Sequence, residues 1–127
     1  MDQSGEFAFW EALIHSAERA KAEGNIEEAQ VFIRRALEHA RIAFSDDTPL
    51  ARSWLCYAQL LEDIQEFAQA EAAYREALQL FKPQASPRFY ALVLHNLAEV
   101  IERQGRIEES RELRTLAQDS LKSDDNA

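Results

Sequence analysis

The chain has 127 residues, enough for one domain, and its 46% hydrophobic and 29% charged content with only three Gly and three Pro describes a helix-rich globular protein rather than a disordered one. A net charge of −9 argues against nucleic acid and anionic membrane surfaces as partners and leaves basic ones open. The single cysteine, Cys56, can form no internal disulfide, so a reducing cytoplasm is the expected location. Met1 to Glu6 contains no basic residue ahead of an apolar run, so no secretory leader is expected, and no stretch approaches the roughly 18 apolar residues of a membrane span.

Taken in order, helices are predicted over about 4–22, 26–44, 49–63, 67–81, 87–103 and 107–121. The first carries an aromatic cluster, Phe7, Phe9 and Trp10, with no upstream helix to cover it. These rings either fold back on their own unit or form a self-interface. Gly24 supplies a turn that needs positive φ, and Asn25 can cap the next helix, with Glu27 and Glu28 in its favourable first turn. After a Ser45-Asp46-Asp47 loop, Thr48-Pro49 places a capping hydroxyl before a proline at the first helical position. Gln65 stands where a turn glycine is expected, so that turn is either different or slightly strained. A loop at Lys82-Pro83-Gln84-Ala85 leads to a second Ser86-Pro87 start, Gly105 makes the last turn, and a polar tail, residues 122–127, is expected to fray.

Sliding the sequence by about 40 residues superposes it on itself. Leu13, Trp54 and Leu94 fall together, as do Ala17, Ala58 and Ala98; Ala20, Leu61 and Ile101; Ile26, Phe67 and Ile107; Ala29, Ala70 and Ser110; and Ala36, Ala77 and Ala117. Small residues recur at small slots, where antiparallel helices approach closely. Large ones recur three and four positions away, where they fill the space between helices.

The string from Leu94 to Ser110 resembles a tetratricopeptide repeat, with Trp54, Ala58, Ala70, Tyr74 and Ala77 matching in the middle unit and Leu13, Ala17, Gly24, Ala29 and Ala36 in the first. The usual unit has about 34 residues; a spacing near 40 is similar to the longer variety of kinesin light chains. The resemblance covers roughly residues 8–121 and implies an all-α, right-handed α-solenoid: three helix-turn-helix units at about 8–44, 49–81 and 87–121, forming one domain over 1–127. Arg114 stands where Tyr74 and Ile33 stand in the earlier units, which suggests a polar end to the array and favours a whole protein.

Cys56 with His15 or His95 is the only imaginable nucleophilic set; the plain reading makes Cys56 a small half-buried apolar residue and the histidines groove polars, so no enzyme is expected. His15, His39 and His95 show no paired ligand spacing, no glycine-rich phosphate loop exists, and the twelve aromatics sit at core periods; neither metal nor cofactor is expected.

The resemblance assigns a concave groove to the first helix of each unit. It comprises Ile14, His15 and Glu18, then Leu55, Cys56, Gln59 and Glu62, then Leu92, His95, Asn96, Glu99 and Glu102, with Glu11, Lys21 and Arg52 alongside. An apolar stripe (Ile14, Leu55, Cys56, Leu92) beside an acidic one (Glu18, Glu62, Glu99, Glu102) would suit a basic or amphipathic segment of another protein. Repeats that grip acidic chaperone tails place Lys, Asn and Arg in these slots, and only Asn96 fits that pattern. The expected function is therefore an adaptor or scaffold. The alternatives are a self-assembling element, with a homodimer through Phe7, Phe9 and Trp10, and a small chaperone for a secretion or appendage subunit.

Overall fold

Six helices follow one another in pairs: α1 (Ser4–Ala22), α2 (Ile26–Ala43), α3 (Thr48–Asp63), α4 (Phe67–Leu80), α5 (Pro87–Arg103) and α6 (Ile107–Asp125). The structure, a computed structural model of the chain, describes residues 4–81 and 86–125. The expected Lys82–Ala85 loop and the last residues of the tail lie outside the described residues. Among the described residues there is no strand. Packing is strongest within each pair and continues from α2 to α3 and from α4 to α5, which makes the molecule a helical solenoid of three units.

The small slots explain the close approach of the helices. Ala29, Ala36, Ala51, Ala58, Ala70, Ala77 and Ala98 are all fully buried, and Ser110 occupies the slot of Ala29 and Ala70 in the last unit. Around them Leu61, Tyr74, Val93, Leu97, Val100 and Ile101 form one core shared by α3, α4 and α5, and Ile33, Leu37 and Leu60 form another between the first and second units. Fully burying a Leu or Ile side chain contributes roughly 1.5–3 kcal/mol, so the seams between units add to the stronger packing within each pair.

All three intra-unit turns are the same. Gly24, Gln65 and Gly105 have φ of 80°, 64° and 87°. The N–H of each donates to the carbonyl of Lys21, Glu62 or Glu102. The next N–H, of Asn25, Glu66 or Arg106, reaches back to Ala20, Leu61 or Ile101. These are Schellman closures, and they satisfy carbonyls that a helix end leaves orphaned. Gln65 thus makes the glycine turn with a Cβ in the left-handed region. Gln65→Gly is expected to stabilise the protein by about 1 kcal/mol, read as a higher urea midpoint at unchanged slope; an unchanged or lower midpoint would mean the turn holds no strain.

Helix starts differ from the sequence expectation. Thr48 does not cap α3: its N–H and Oγ1 both donate to Asp46 Oδ1, at 3.0 and 2.9 Å. That capture holds the Asp46 carboxyl below its ordinary pKa. Asn25 and Ser86 make no side-chain cap bond either; Asn25 Nδ2 donates to Glu28 instead. At the far end α6 runs on to Asp125, so residues 122–125 are helical where fraying was expected.

Of the two alternatives expected for the N-terminal rings, Trp10 takes the first and folds back into the core. It is 1% exposed, so it belongs to the core and not to an open self-interface. Its Nε1–H donates to Ser53 Oγ at 2.7 Å, and Ser53 Oγ–H donates to the Pro49 carbonyl at 2.8 Å. The Arg52 guanidinium lies over the ring at 5.3 Å. The first unit is thereby fastened to the second. Phe7 packs on Trp10 and Phe44, and Phe9, still 56% exposed, sets its ring edge-on to His39.

Candidate functional site: the inner groove

The first helices α1, α3 and α5 bring five of the expected groove residues together. Glu18 and Cys56 line one recess of about 290 Å³, Glu62 and Asn96 line an adjoining one of about 380 Å³, and Gln59 and Lys21 border both. These residues share the groove because the repeat places them on the same face of successive helices. Lys21 Nζ spans the α1–α3 seam to Asp63 Oδ2 at 2.7 Å.

The electrostatics are acidic. The Tyr74 hydroxyl, rising from α4 into the groove, donates to Glu62 Oε1 at 2.7 Å. Burial first, then that bond and the charges of Glu62, Asp63 and Glu99, push its pKa well above that of an ordinary phenol. Burial is the larger part of that shift, and Lys21 already pairs with Asp63, so Glu62 and Glu99 are the carboxylates that would favour a cation here. One repeat further on, Arg114 takes the place of Tyr74 and reaches Glu102 Oε2 at 2.8 Å, so the last acidic position is neutralised.

The apolar stripe is not there. Ile14 is 5% and Leu55 9% exposed. Both point at the following unit, whose first helix covers them; they hold the array together and are closed to a partner. Leu92, the stripe's last member, is 44% exposed, in a slot that is exposed in the earlier units too, at Glu11 and Arg52. It lies with His95 in a separate cleft of about 420 Å³ at the end of the array. His15 is exposed on α1 but lines neither groove recess.

Cys56 is mostly buried, and burial followed by the nearby Glu18 carboxylate raises its thiol pKa. Such a thiol stays protonated and is a poor nucleophile. Cys56 and His95 line different depressions. Among the described residues no group of His, Cys, Asp and Glu could hold a metal ion, and no helix is long and apolar enough to cross a membrane. Sequence reasoning missed Asp63 and the Tyr74 hydroxyl as groove members. The one available signal was the twelve-residue separation shared by Glu62–Tyr74 and Glu102–Arg114.

No family model matches the chain, and no curated protein sequence does. Among solved structures the chain is similar to BtubC (BKLC) from P. vanneervenii, with a TM-score of 0.82 and 15% identity over 93% of this chain and 48% of that one. The likeness establishes a tetratricopeptide-like helical-repeat fold. This chain spans about half the length of that protein.

Proposed function

We propose that this chain is a protein-interaction module, an adaptor or scaffold of the cytoplasm, whose inner groove takes a basic segment of another protein. The observation that carries the reading is the polar recess in which Glu62 accepts from the Tyr74 hydroxyl with Asp63 and Asn96 beside them, the Glu99 charge acting on the same hydroxyl. Glu18, Gln59 and Asn96 extend the same surface along the array with further hydrogen-bonding groups. Lysine or arginine side chains would meet the carboxylates, and backbone amides would meet Gln59 and Asn96.

The test is selection of binders from a random-peptide display library, followed by titration of the winners. Selected peptides are expected to be rich in Lys and Arg, to weaken with salt, and to lose at least about tenfold in affinity to a Glu62→Lys/Glu99→Lys variant. Winners without basic residues, or winners that bind the variant equally, would overturn the reading. Self-assembly is the weaker alternative. With Trp10 buried it keeps only Phe7 and Phe9, both already packed on neighbouring rings. Nothing in the groove favours a chaperone role over a general adaptor.

A further inference from the structure

The groove already holds one basic side chain, and it is the chain's own. Lys21, Glu62 and Glu102 are equivalent positions: the carbonyl of each accepts the turn N–H of Gly24, Gln65 or Gly105. The second helix of each unit answers them differently. Tyr74 gives Glu62 a hydroxyl, Arg114 gives Glu102 a guanidinium, and the first unit sets the buried, apolar Ile33 in that slot. Lys21 reverses the charge of the other two and reaches along the array instead, to Asp63 of the middle unit, beside Glu62. The second seam has no such contact: there the same two positions are Glu62, bound to Tyr74, and Arg103, which lies over the Phe67 ring at 5.8 Å. Lys21 also borders both recesses of the groove, so its ammonium stands where a partner's basic side chain is expected.

We propose, resting on the reading that the groove takes a basic segment, that Lys21 is an internal competitor for that segment: a basic side chain of the partner displaces the Lys21 ammonium from Asp63, and Lys21 thereby sets how tightly the segment binds. The contact is suited to exchange. Its two side chains are 39% and 52% exposed, and an ion pair so placed holds weakly. It joins neighbouring units through side chains alone, so its opening breaks no turn and no helix. The exchange conserves charge, since one cation leaves Asp63 for solvent as another arrives. With Lys21 seated, the recess presents Glu62, with the Glu99 charge acting on the same Tyr74 hydroxyl. With Lys21 displaced, Asp63 joins them and a like charge is gone from the partner's path. A purely structural ion pair makes the opposite prediction, because its loss would loosen the groove and could only weaken a ligand.

The experiment titrates the full chain with a fluorescein-labelled peptide of alternating lysine and glycine, read by fluorescence anisotropy at about 0.15 M salt. Lys21→Met keeps an unbranched stem and removes the charge; it is expected to tighten binding by about fivefold or more, with circular dichroism unchanged. Arg19→Met removes an exposed charge from the same helix and is expected to change affinity by less than about twofold. A double-mutant cycle with Asp63→Asn separates competition from a general field. A competitor gains only through the carboxylate it vacates, so Lys21→Met in the Asp63→Asn background should tighten binding by less than about twofold. Unchanged or weaker binding by Lys21→Met, an equal gain from Arg19→Met, or the same gain in both Asp63 backgrounds would each overturn the proposal. The groove reading survives any of these results provided that Glu62→Lys/Glu99→Lys still weakens the peptide. Binding that resists that double substitution, or no saturable binding to wild type or Lys21→Met up to about 1 mM, would overturn the groove reading and this competitor with it.

Discussion

Trp10→Ala is expected to lower stability by about 3–5 kcal/mol, the usual cost of deleting a large buried aromatic, and to do so locally. Three consequences act together. A cavity opens beneath α1, the Ser53 hydroxyl loses its indole donor, and Arg52 loses the ring it lies over. Folded domains carry only about 5–15 kcal/mol in total, so a loss of this size is a large share. In a repeat array, where each unit leans on its neighbour, the first unit should detach before the rest. Urea melting would give a lower midpoint with a broadened or two-step transition. Amide exchange would show α1 and α2 losing protection ahead of α5 and α6. Phe9→Ala is the control: its ring is largely exposed, and the change should cost well under about 1 kcal/mol. Equal effects of the two substitutions would show that the Trp10 seam does not hold the first unit.

The seam between the second and third units is held differently, and the difference predicts acid sensitivity. Glu71, with a side chain only 14% exposed, accepts from Arg106 at 2.7 and 3.1 Å, from Gln104 at 2.9 Å and from Arg75 at 3.0 Å, and Glu109 binds both arginines. The equivalent positions of the first seam are Gln30, Glu66, Arg34 and Gln69, which cannot make this cluster. The Arg106 hydrogen bonds are the largest cause that holds the Glu71 carboxyl at about 2, below its ordinary 4.5. A lowered folded-state pKa means the stabilisation is complete above about pH 4.5 and is lost as pH falls toward 2. Glu71→Gln should therefore cost about 2 kcal/mol at neutral pH, and the gap between variant and wild type should close as pH falls through that window. Melting temperatures measured across it check the sign: a gap that stays constant or widens in acid would contradict the assignment.

Much of the architecture could be read from the residues alone, because the repeat carries it. The alanine columns marked where helices touch, and the helix bounds agree with expectation to within a residue except at the end of α6. That end was missed because the run from Lys122 to Asp125 is polar, and polarity alone does not separate a solvated helix from a frayed tail. The turn at Gln65 was readable as a position and not as a conformation; only the φ of 64° shows that it closes like its glycine counterparts. Capping failed for a competitive reason, since Asp46 takes the Thr48 hydroxyl before the helix can use it. In the groove, periodicity placed Ile14 and His15 side by side but could not say which faces the next unit. Adjacent positions on a helix differ by about 100°, enough to turn one into the seam and leave the other exposed. The acidic members were legible because a charged side chain on the first helix of each unit needs no burial to be recognised. The end cleft was invisible, since its floor joins Ala91 and Leu92 of α5 to Ala117 and Leu121 of α6, residues that only the fold brings together.

Occupation of the inner groove by a basic segment can be read by amide chemical-shift mapping of the labelled chain titrated with a Lys/Arg-rich peptide from the library. The largest shifts are expected at Glu18, Gln59, Glu62, Asn96 and Glu99, with the Lys21 and Asp63 amides moving as their ion pair rearranges. Shifts confined to Phe7 and Phe9, or to the outer faces of α2, α4 and α6, would contradict it.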